Sequence, residues 1–134
     1  MASELRVNTL KDASGNNSVG LSTVAGGSAK AWLNLNGTGT IAARDSLNFS
    51  SHSDGGDGNY TSTYTSAMNN SNYCHSHHNV DDAPLQYGLS TSVSFSATTT
   101  SIQQRCGAWS GVSSANATSS DSERHSLIIM GDLA

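Results

Sequence analysis

The sequence predicts an all-β fold, an antiparallel β-sandwich that carries an N-terminal β-hairpin or extended arm. Apolar and polar residues alternate in several short segments, which is the pattern of half-buried strands. Turn signals rich in Gly, Asn and Asp separate these segments at near-regular spacing. No segment of helical length has an apolar period of about 3.6 residues. We therefore divide the 134 residues into an arm and joint, 1–29, and a sandwich domain, 30–134.

The arm comes first in the chain. Residues 5–10 alternate in polarity, residues 12–17 supply a turn, and residues 19–24 are expected to return as a second strand. Residues 25–29, Ala-Gly-Gly-Ser-Ala, predict a flexible joint. Because a hairpin of this size cannot bury enough apolar surface to be stable alone, the arm needs a partner surface.

The sandwich domain is expected to open with a strand at residues 31–36. Side chains alternate across a strand, so Leu33 and Leu35 should face a core while Asn34 and Asn36 face water. Trp32 begins this strand and is expected to be packed, because aromatic rings dominate cores.

Two turn signals follow this first strand. Residues 36–39, Asn-Gly-Thr-Gly, predict a tight reversal into residues 40–43. Residues 54–59, Asp-Gly-Gly-Asp-Gly-Asn, predict a second hairpin turn before the alternating Tyr and Thr residues of 60–66. The carboxylates of the second turn also suggest calcium, but the bidentate Glu that closes an EF-hand loop is missing.

Four further segments are strand candidates, namely 72–80, 86–96, 100–110 and 123–133. The last contains the most apolar run of the chain, residues 127–130, Leu-Ile-Ile-Met. We expect this run to form a buried strand.

Composition narrows the possible functions. Only 35% of the residues are hydrophobic and 12% are charged, and the net charge of −4 includes six basic residues, too few for a basic stripe that binds nucleic acid. The first residues lack the apolar run of a secretion signal, and no segment is apolar enough for membrane insertion. We therefore expect synthesis in a cytoplasm, where Cys74 and Cys106 would stay as free thiols.

Five runs of residues carry a family resemblance. They are Ala31-Trp32-Leu33-Asn34, Asn36-Gly37-Thr38-Gly39-Thr40, Ala43-Arg44-Asp45-Ser46-Leu47-Asn48, Gly58-Asn59-Tyr60-Thr61 and Ala67-Met68-Asn69-Asn70-Ser71-Asn72-Tyr73. In this order they resemble the tip domains of bacteriophage tail fibres, including short tail fibres or virion appendages of cyanophages and marine phages. The similarity covers roughly residues 4–80.

The resemblance implies a structural protein of the virion tail, made in the host cytoplasm and assembled as a homotrimer. It implies non-enzymatic adhesion, in which the tip contacts a receptor or polysaccharide on the host surface. Residues 1–29 would then attach the domain to other tail or baseplate proteins, and residues 50–58, 75–86 and 107–120 would be loops presented to the cell. The alternatives are a capsid decoration or head-fibre protein and a small carbohydrate-binding module.

The segment Cys74-His75-Ser76-His77-His78 has metal-ligand character. On a strand, His75 and His77 share one face while Cys74, Ser76 and His78 share the other. Two imidazoles are too few for a structural zinc site, but three chains around a threefold axis would hold a shared transition-metal ion. The resemblance supports such an arrangement, since His-x-His pairs bind metal in some long tail fibres. No cofactor is otherwise required, and the alternative is that these are polar interface residues.

Receptor or partner binding is assigned to Trp109, Tyr87 and His78. Trp109 lies between glycines, where its ring could stack on a sugar, and Tyr87 has an amphipathic ring of the kind common at interfaces. Ordinary packing is the alternative for both rings.

Catalysis is not expected. A hydrolase inventory of Ser, His125 or His52, and Asp121 or Asp45 is present, but in a chain rich in Ser it is expected by chance. The sequence has no Gly-x-Ser-x-Gly elbow or another nucleophile frame.

Overall fold

A computed structural model of the chain describes residue 3 and residues 5–80, 96–109 and 117–134. These residues form antiparallel β-strands and one short helix, α1 (Leu21–Gly27), which confirms the all-β class. The strands are, in chain order, β1 (Thr9–Lys11), β2 (Ser18–Gly20), β3 (Ala29–Asn36), β4 (Ala42–Leu47), β5 (Phe49–Asp54), β6 (Asn59–Tyr64), β7 (Cys74–Val80), β8 (Ser96–Ala97), β9 (Ser101–Arg105), β10 (Gly107–Trp109), β11 (Ala117–Ser119) and β12 (Arg124–Met130).

Two four-stranded sheets make up most of the described structure. The first sheet has the order β4-β3-β12-β7 and the second has the order β5-β6-β9-β8. Every neighbouring pair in both sheets is antiparallel. Strands β3 and β12 lie side by side although they are distant in sequence, so the two central strands of the first sheet meet only when the whole domain folds.

The two sheets share one hydrophobic core. Alternate side chains of the central strands are buried, because successive residues of a strand point to opposite faces. The buried cluster joins Ala31, Leu33, Leu35, Leu127 and Ile129 of the first sheet to Tyr60, Tyr64 and Ile102 of the second. Met68, Tyr73 and Cys106, which lie outside or at the ends of the strands, complete the buried cluster.

Strand β3 has the core face that the sequence predicts. Leu33 and Leu35 are buried as predicted, and Ala31 lies on the same face. The intervening residues are half-buried, and the Oδ1 atom of Asn34 is out of contact with solvent. The expectation that Asn34 and Asn36 face open water was therefore wrong, because neighbouring strands on both sides cover part of their surface.

Strand β12 differs from its prediction. The run at residues 127–130 was expected to be buried. Of these four residues only Leu127 and Ile129 are buried, while Ile128 is 51% and Met130 is 40% exposed. The prediction was wrong because the first sheet has one covered face, so alternate side chains of its central strand point outward.

The predicted N-terminal hairpin forms, but its second strand is short. Strands β1 and β2 pair around the turn at residues 12–17, and the backbone N–H of Leu21 donates to the carbonyl of Asn8. The chain then enters α1, so the predicted strand at 19–24 and flexible joint at 25–29 were both wrong in part. Since β1 offers only three residues for pairing, β2 stops at Gly20 and the chain is free to turn into a helix.

Both turns of the domain's first half form as predicted. The chain reverses after β3 with Gly39 at φ 65°, and it reverses again between β5 and β6 with Gly56 and Gly58 at positive φ. The carboxylate of Asp54 accepts a hydrogen bond from the Gly56 N–H at 2.9 Å, which is the usual role of Asp in a hairpin turn.

The three predicted loops are only partly loops. Residues 50–54 belong to β5 and residues 75–80 to β7, while residues 107–109 and 117–119 pair as β10 and β11. Those parts of the loop prediction were wrong, because each segment has an antiparallel partner. Residues 81–86 and 110–116 lie outside the described part of the chain.

Asn48 carries the chain from the first sheet to the second. It lies between β4 and β5 with φ 61°, a left-handed conformation that Asn tolerates better than most residues. Its side chain accepts from the Ser66 N–H at 2.7 Å and donates to the Ser66 carbonyl at 3.1 Å. Asn48 therefore fixes the corner at which the two sheets are joined.

The seven residues of α1 include none that is buried. In the residues that the structure covers, no helix combines the length and the apolar character needed to cross a membrane.

Candidate functional site

Two features of the described chain are candidates for function: a row of histidines between the sheets, and an apolar stripe on the outer face of the first sheet. The row begins on β7, where His75 and His77 have nearly parallel rings with centroids 6.1 Å apart. Cys74, Ser76 and His78 are exposed on the opposite face. The predicted sharing of faces is therefore confirmed.

The face that carries the two imidazoles is the inner face of the first sheet. It continues into Asn79, which is buried, while His75 and His77 are half-buried. Burial lowers the pKa of both imidazoles below the ordinary value, and for His77 the neighbouring histidines add to the effect. Both side chains are therefore held as neutral imidazoles near pH 7.

His125 extends the row. From the sequence it was only a possible catalytic base. It lies on β12 opposite Asn79, and its ring centroid is 5.6 Å from that of His77. The side chain is fully buried, because it occupies the same face as Leu127 and Ile129. The sequence signal for the burial of His125 was its position two residues before Leu127, on the same face of an alternating strand.

A buried thiol contacts this histidine. The Sγ atom of Cys106 lies 2.8 Å from Nδ1 of His125, and both residues are fully buried. Burial raises the pKa of Cys106 to about 12 and lowers that of His125 to about 4. Because the thiolate is the nucleophilic form of cysteine, this neutral pair is not an activated nucleophile.

Both cysteines are free, which agrees with their prediction from the sequence. The other histidine considered for catalysis, His52, places Nδ1 3.0 Å from the hydroxyl of Ser62. Among the described residues, neither His52 nor His125 hydrogen-bonds a carboxylate. Within the described residues, neither histidine is therefore placed between a serine and an aspartate as a triad requires.

A hydrogen-bond network braces the end of the core next to the histidine row. The hydroxyl of Tyr60 accepts from the Ser122 N–H at 3.0 Å and donates to the Asp121 carboxylate at 3.1 Å. The same carboxylate oxygen accepts from the Gly58 N–H at 2.9 Å. Burial raises the pKa of Tyr60, so the phenol stays protonated and able to donate.

Several buried polar atoms near the row have no hydrogen-bond partner among the described residues. They include Nε2 of His77, Nε2 of His125, Oδ1 of Asn79 and both side-chain polar atoms of Gln104. Gln104 lies on β9 opposite Tyr60, whose ring contacts that of His125 across the two sheets. Such orphan atoms are uncommon in folded proteins.

The second candidate is on the outer face of the first sheet. Leu47, Trp32 and Ile128 lie side by side on β4, β3 and β12, and Met130 continues the row on β12. We call these four residues the outer stripe. Leu47 is 47% and Ile128 is 51% exposed, while Trp32 is half-buried rather than packed in the core.

Polar side chains surround the outer stripe, and two of them are charged. Ser76 lies opposite Ile128, and Cys74 lies opposite Met130. Along the strands the next outward positions are Lys30 and Asn34 on β3, Asp45 on β4 and Ser126 on β12. The stripe is therefore an apolar surface with a polar border, which is the arrangement of core and rim in protein interfaces.

The predicted receptor-binding residues are placed as follows. His78 is exposed on the outer face of β7, opposite Ser126. The backbone of Trp109 pairs with Ala117 in the β10–β11 ribbon. Tyr87 lies outside the described residues. The binding role of these residues stays a prediction.

The described residues contain no group of three or more His, Cys, Asp or Glu side chains arranged to hold a metal ion. A site shared by three chains needs ligands from the other two chains, so the metal hypothesis for His75 and His77 stays a prediction.

Comparisons with known proteins add no relative. No family model matches the chain, and neither the curated proteins nor the solved structures contain a match.

Proposed function

We propose that this chain is a non-enzymatic structural protein of a phage tail, a β-sandwich fibre tip that assembles as a homotrimer and binds the host cell surface. The sandwich would be formed by the two sheets that share the core. The five ordered runs that resemble tail-fibre tips support the assignment to a virion. The observation that carries the proposal is the outer stripe.

An exposed stripe of this kind is costly in water. Burying apolar surface contributes roughly 25 cal/mol per Å², so covering Leu47, Ile128 and Met130 would stabilise an assembly. Contiguous exposed apolar patches mark interaction sites on soluble proteins. The stripe crosses three adjacent strands, so a flat surface of a second copy can cover all of it.

A second copy of this chain is the proposed occupant of the stripe. The two charged residues beside the stripe, Lys30 on β3 and Asp45 on β4, have opposite signs. A second copy can therefore place unlike charges next to each other instead of repelling its partner. Closed symmetry also limits growth, since a ring of subunits leaves no free stripe.

The arm is the proposed attachment device. Leu10 and Val19 face each other across β1 and β2 and are exposed, and no residue of α1 is buried. An arm with unburied apolar side chains requires a surface outside its own fold. We assign that surface to other tail or baseplate proteins.

The test is a native mass spectrum of the purified chain and two variants. We expect a threefold mass for the natural chain and a monomer for Ile128→Glu, because the carboxylate would be buried within the interface. Ser53→Glu is the matched control, since it introduces the same charge at an exposed strand position of the other sheet, away from the stripe. It should stay trimeric.

A monomeric natural chain would contradict the homotrimer. If the chain is trimeric, its function as an adhesin is tested by labelling it and measuring binding to bacterial cells. Binding to purified phage heads without binding to cells would favour the capsid decoration alternative. Binding that monosaccharides displace from a monomer would favour the carbohydrate-binding module.

A further inference from the structure

The orphan nitrogens of the histidine row lie in a part of the core that the proposed function does not use. His125 and Gln104 are both at least nine-tenths buried, and each has a polar atom without a partner among the described residues. An unpaired buried polar group lowers stability, so several in one region are a substantial penalty unless a ligand satisfies them. The chemistry of these atoms identifies the ligand class.

The contact of His125 with Cys106 allows the tautomer that a metal ligand needs. Nδ1 of His125 is within hydrogen-bond distance of Sγ of Cys106. When Nδ1–H donates to this sulfur, Nε2 carries the lone pair. Metal-binding histidines commonly donate their second ring nitrogen to a neighbouring acceptor in this way.

The spacing of the rings fits a shared ion. A nitrogen bound about 2.1 Å from zinc places its ring centroid roughly 3.2 Å from the metal, so two rings on one ion have centroids no more than about 6.4 Å apart. The His77 and His125 centroids are 5.6 Å apart. The planes of the two rings differ by 18°.

We propose that His77 and His125 bind one divalent transition-metal ion per chain, through their Nε2 atoms, in the space between the two sheets. The amide oxygen of Gln104 is the orphan acceptor on the facing sheet and supplies a third ligand. Zn²⁺, Ni²⁺, Co²⁺ and Cu²⁺ all accept imidazole with amide or water oxygen. The site differs from a threefold site because all its protein ligands come from one chain.

The proposed site has two imidazoles and an amide. It is therefore not a group of three His, Cys, Asp or Glu side chains, of which the described residues contain none that could hold a metal ion. Burial lowers the pKa of His77 and His125, which leaves both imidazoles neutral and free of proton competition near pH 7.

The experiment uses the full chain, unfolded in chelator and refolded with or without Zn²⁺. Unfolding exposes the ring nitrogens Nε2 of His77 and His125, which are closed to solvent in the folded chain. We expect one ion per chain in the native mass spectrum and a rise in Tm of roughly 5–10 °C at Zn²⁺ about 100-fold above Kd. Cu²⁺ loaded in the same way should show nitrogen superhyperfine coupling from two imidazoles in its EPR spectrum.

Three variants locate the site. His77→Gln should abolish the metal-dependent rise in Tm, and His125→Gln should do the same if it folds. His78→Gln is the matched control, since it changes the adjacent histidine on the exposed face of the same strand. It should bind one ion per chain like the natural chain.

The inference is overturned if the natural chain binds no ion, if His77→Gln binds as well as the natural chain, or if the ratio is one ion per three chains. The last result would favour the shared site of His75 and His77. The same spectrum reports the number of subunits, so a monomer with one ion would contradict the proposed trimer while supporting the metal site.

Discussion

At the residue scale, close backbone approach explains which glycines the fold needs. A Cβ atom on Gly37 would lie 2.2 Å from the Tyr60 hydroxyl oxygen and 2.8 Å from the Ser122 carbonyl oxygen. The Gly37 N–H donates to that same carbonyl at 2.9 Å. Gly37 therefore lets the first turn of the domain close over the hydrogen bonds of Tyr60. The sequence identified this residue as part of a turn, but not the tyrosine above it.

We expect Gly37→Ala to lower the free energy of unfolding by about 1–3 kcal/mol, because the new methyl group overlaps buried atoms that other hydrogen bonds fix in place. Urea unfolding followed by circular dichroism measures the change. Gly26→Ala is the matched control, since a Cβ atom there meets nothing within 4 Å and the residue lies in exposed α1. Equal destabilisation by both substitutions would contradict the packing argument.

Residue positions on one strand were predictable, whereas contacts between distant strands were not. Alternation is a local property, so it placed His75 and His77 on one face of β7. The contact of His77 with His125 depends on the pairing of β7 with β12, and that of His125 with Cys106 depends on the packing of two sheets. No local pattern in the sequence contains these long-range relations.

At the element scale, the sequence predicted strands where one face meets a core and failed where tertiary context decides. Strands β3, β6 and β7 were predicted because their polarity alternates. Strand β5 was missed because its residues are mostly Ser, His and Asp, and its pairing with β6 stabilises it. Helix α1 was missed because it is only seven residues long and has no apolar face to detect.

The arm and the domain should be separable elements. We expect residues 29–134 alone to unfold within about 2 °C of the Tm of the full chain, because β1, β2 and α1 contain no buried residue and contribute little packing. Differential scanning calorimetry of the two chains tests this. A truncation one strand longer, residues 37–134, is the control and should not fold, since it removes β3 from the centre of the first sheet. A large loss of Tm on removing the arm alone would show that the arm supports the core.

At the scale of the whole molecule, the two faces of the first sheet have different tasks. Its inner face carries the core and the histidine row, and its outer face carries the outer stripe. Under the proposed function, a substitution on the inner face should affect folding and a substitution on the outer face should affect assembly. Because the two faces are separate, one sheet of this small domain can carry an exposed apolar surface on one side and buried imidazoles on the other.

The buried imidazoles should make the fold sensitive to acid. Burial holds the pKa of His125 at about 4 in the folded chain, while the unfolded chain has the ordinary value of about 6.5. The unfolded state therefore binds more protons. The contribution of neutral His125 to stability is fully present above about pH 6.5 and is lost as the pH decreases toward 4. From this difference in pKa, His125 alone should lower the free energy of unfolding by roughly 3 kcal/mol at pH 4 and below.

Urea unfolding in chelator between pH 7.5 and 4 measures this loss without interference from metal binding. His125→Gln should be less stable than the natural chain at pH 7.5 but should lose less stability on acidification, because its amide does not titrate. His78→Gln is the control on the exposed face of β7 and should keep the acid dependence of the natural chain. Carboxylates titrate in all three chains, so the difference between their curves isolates the imidazole. Parallel curves for His125→Gln and the natural chain would mean that His125 is not held neutral by burial.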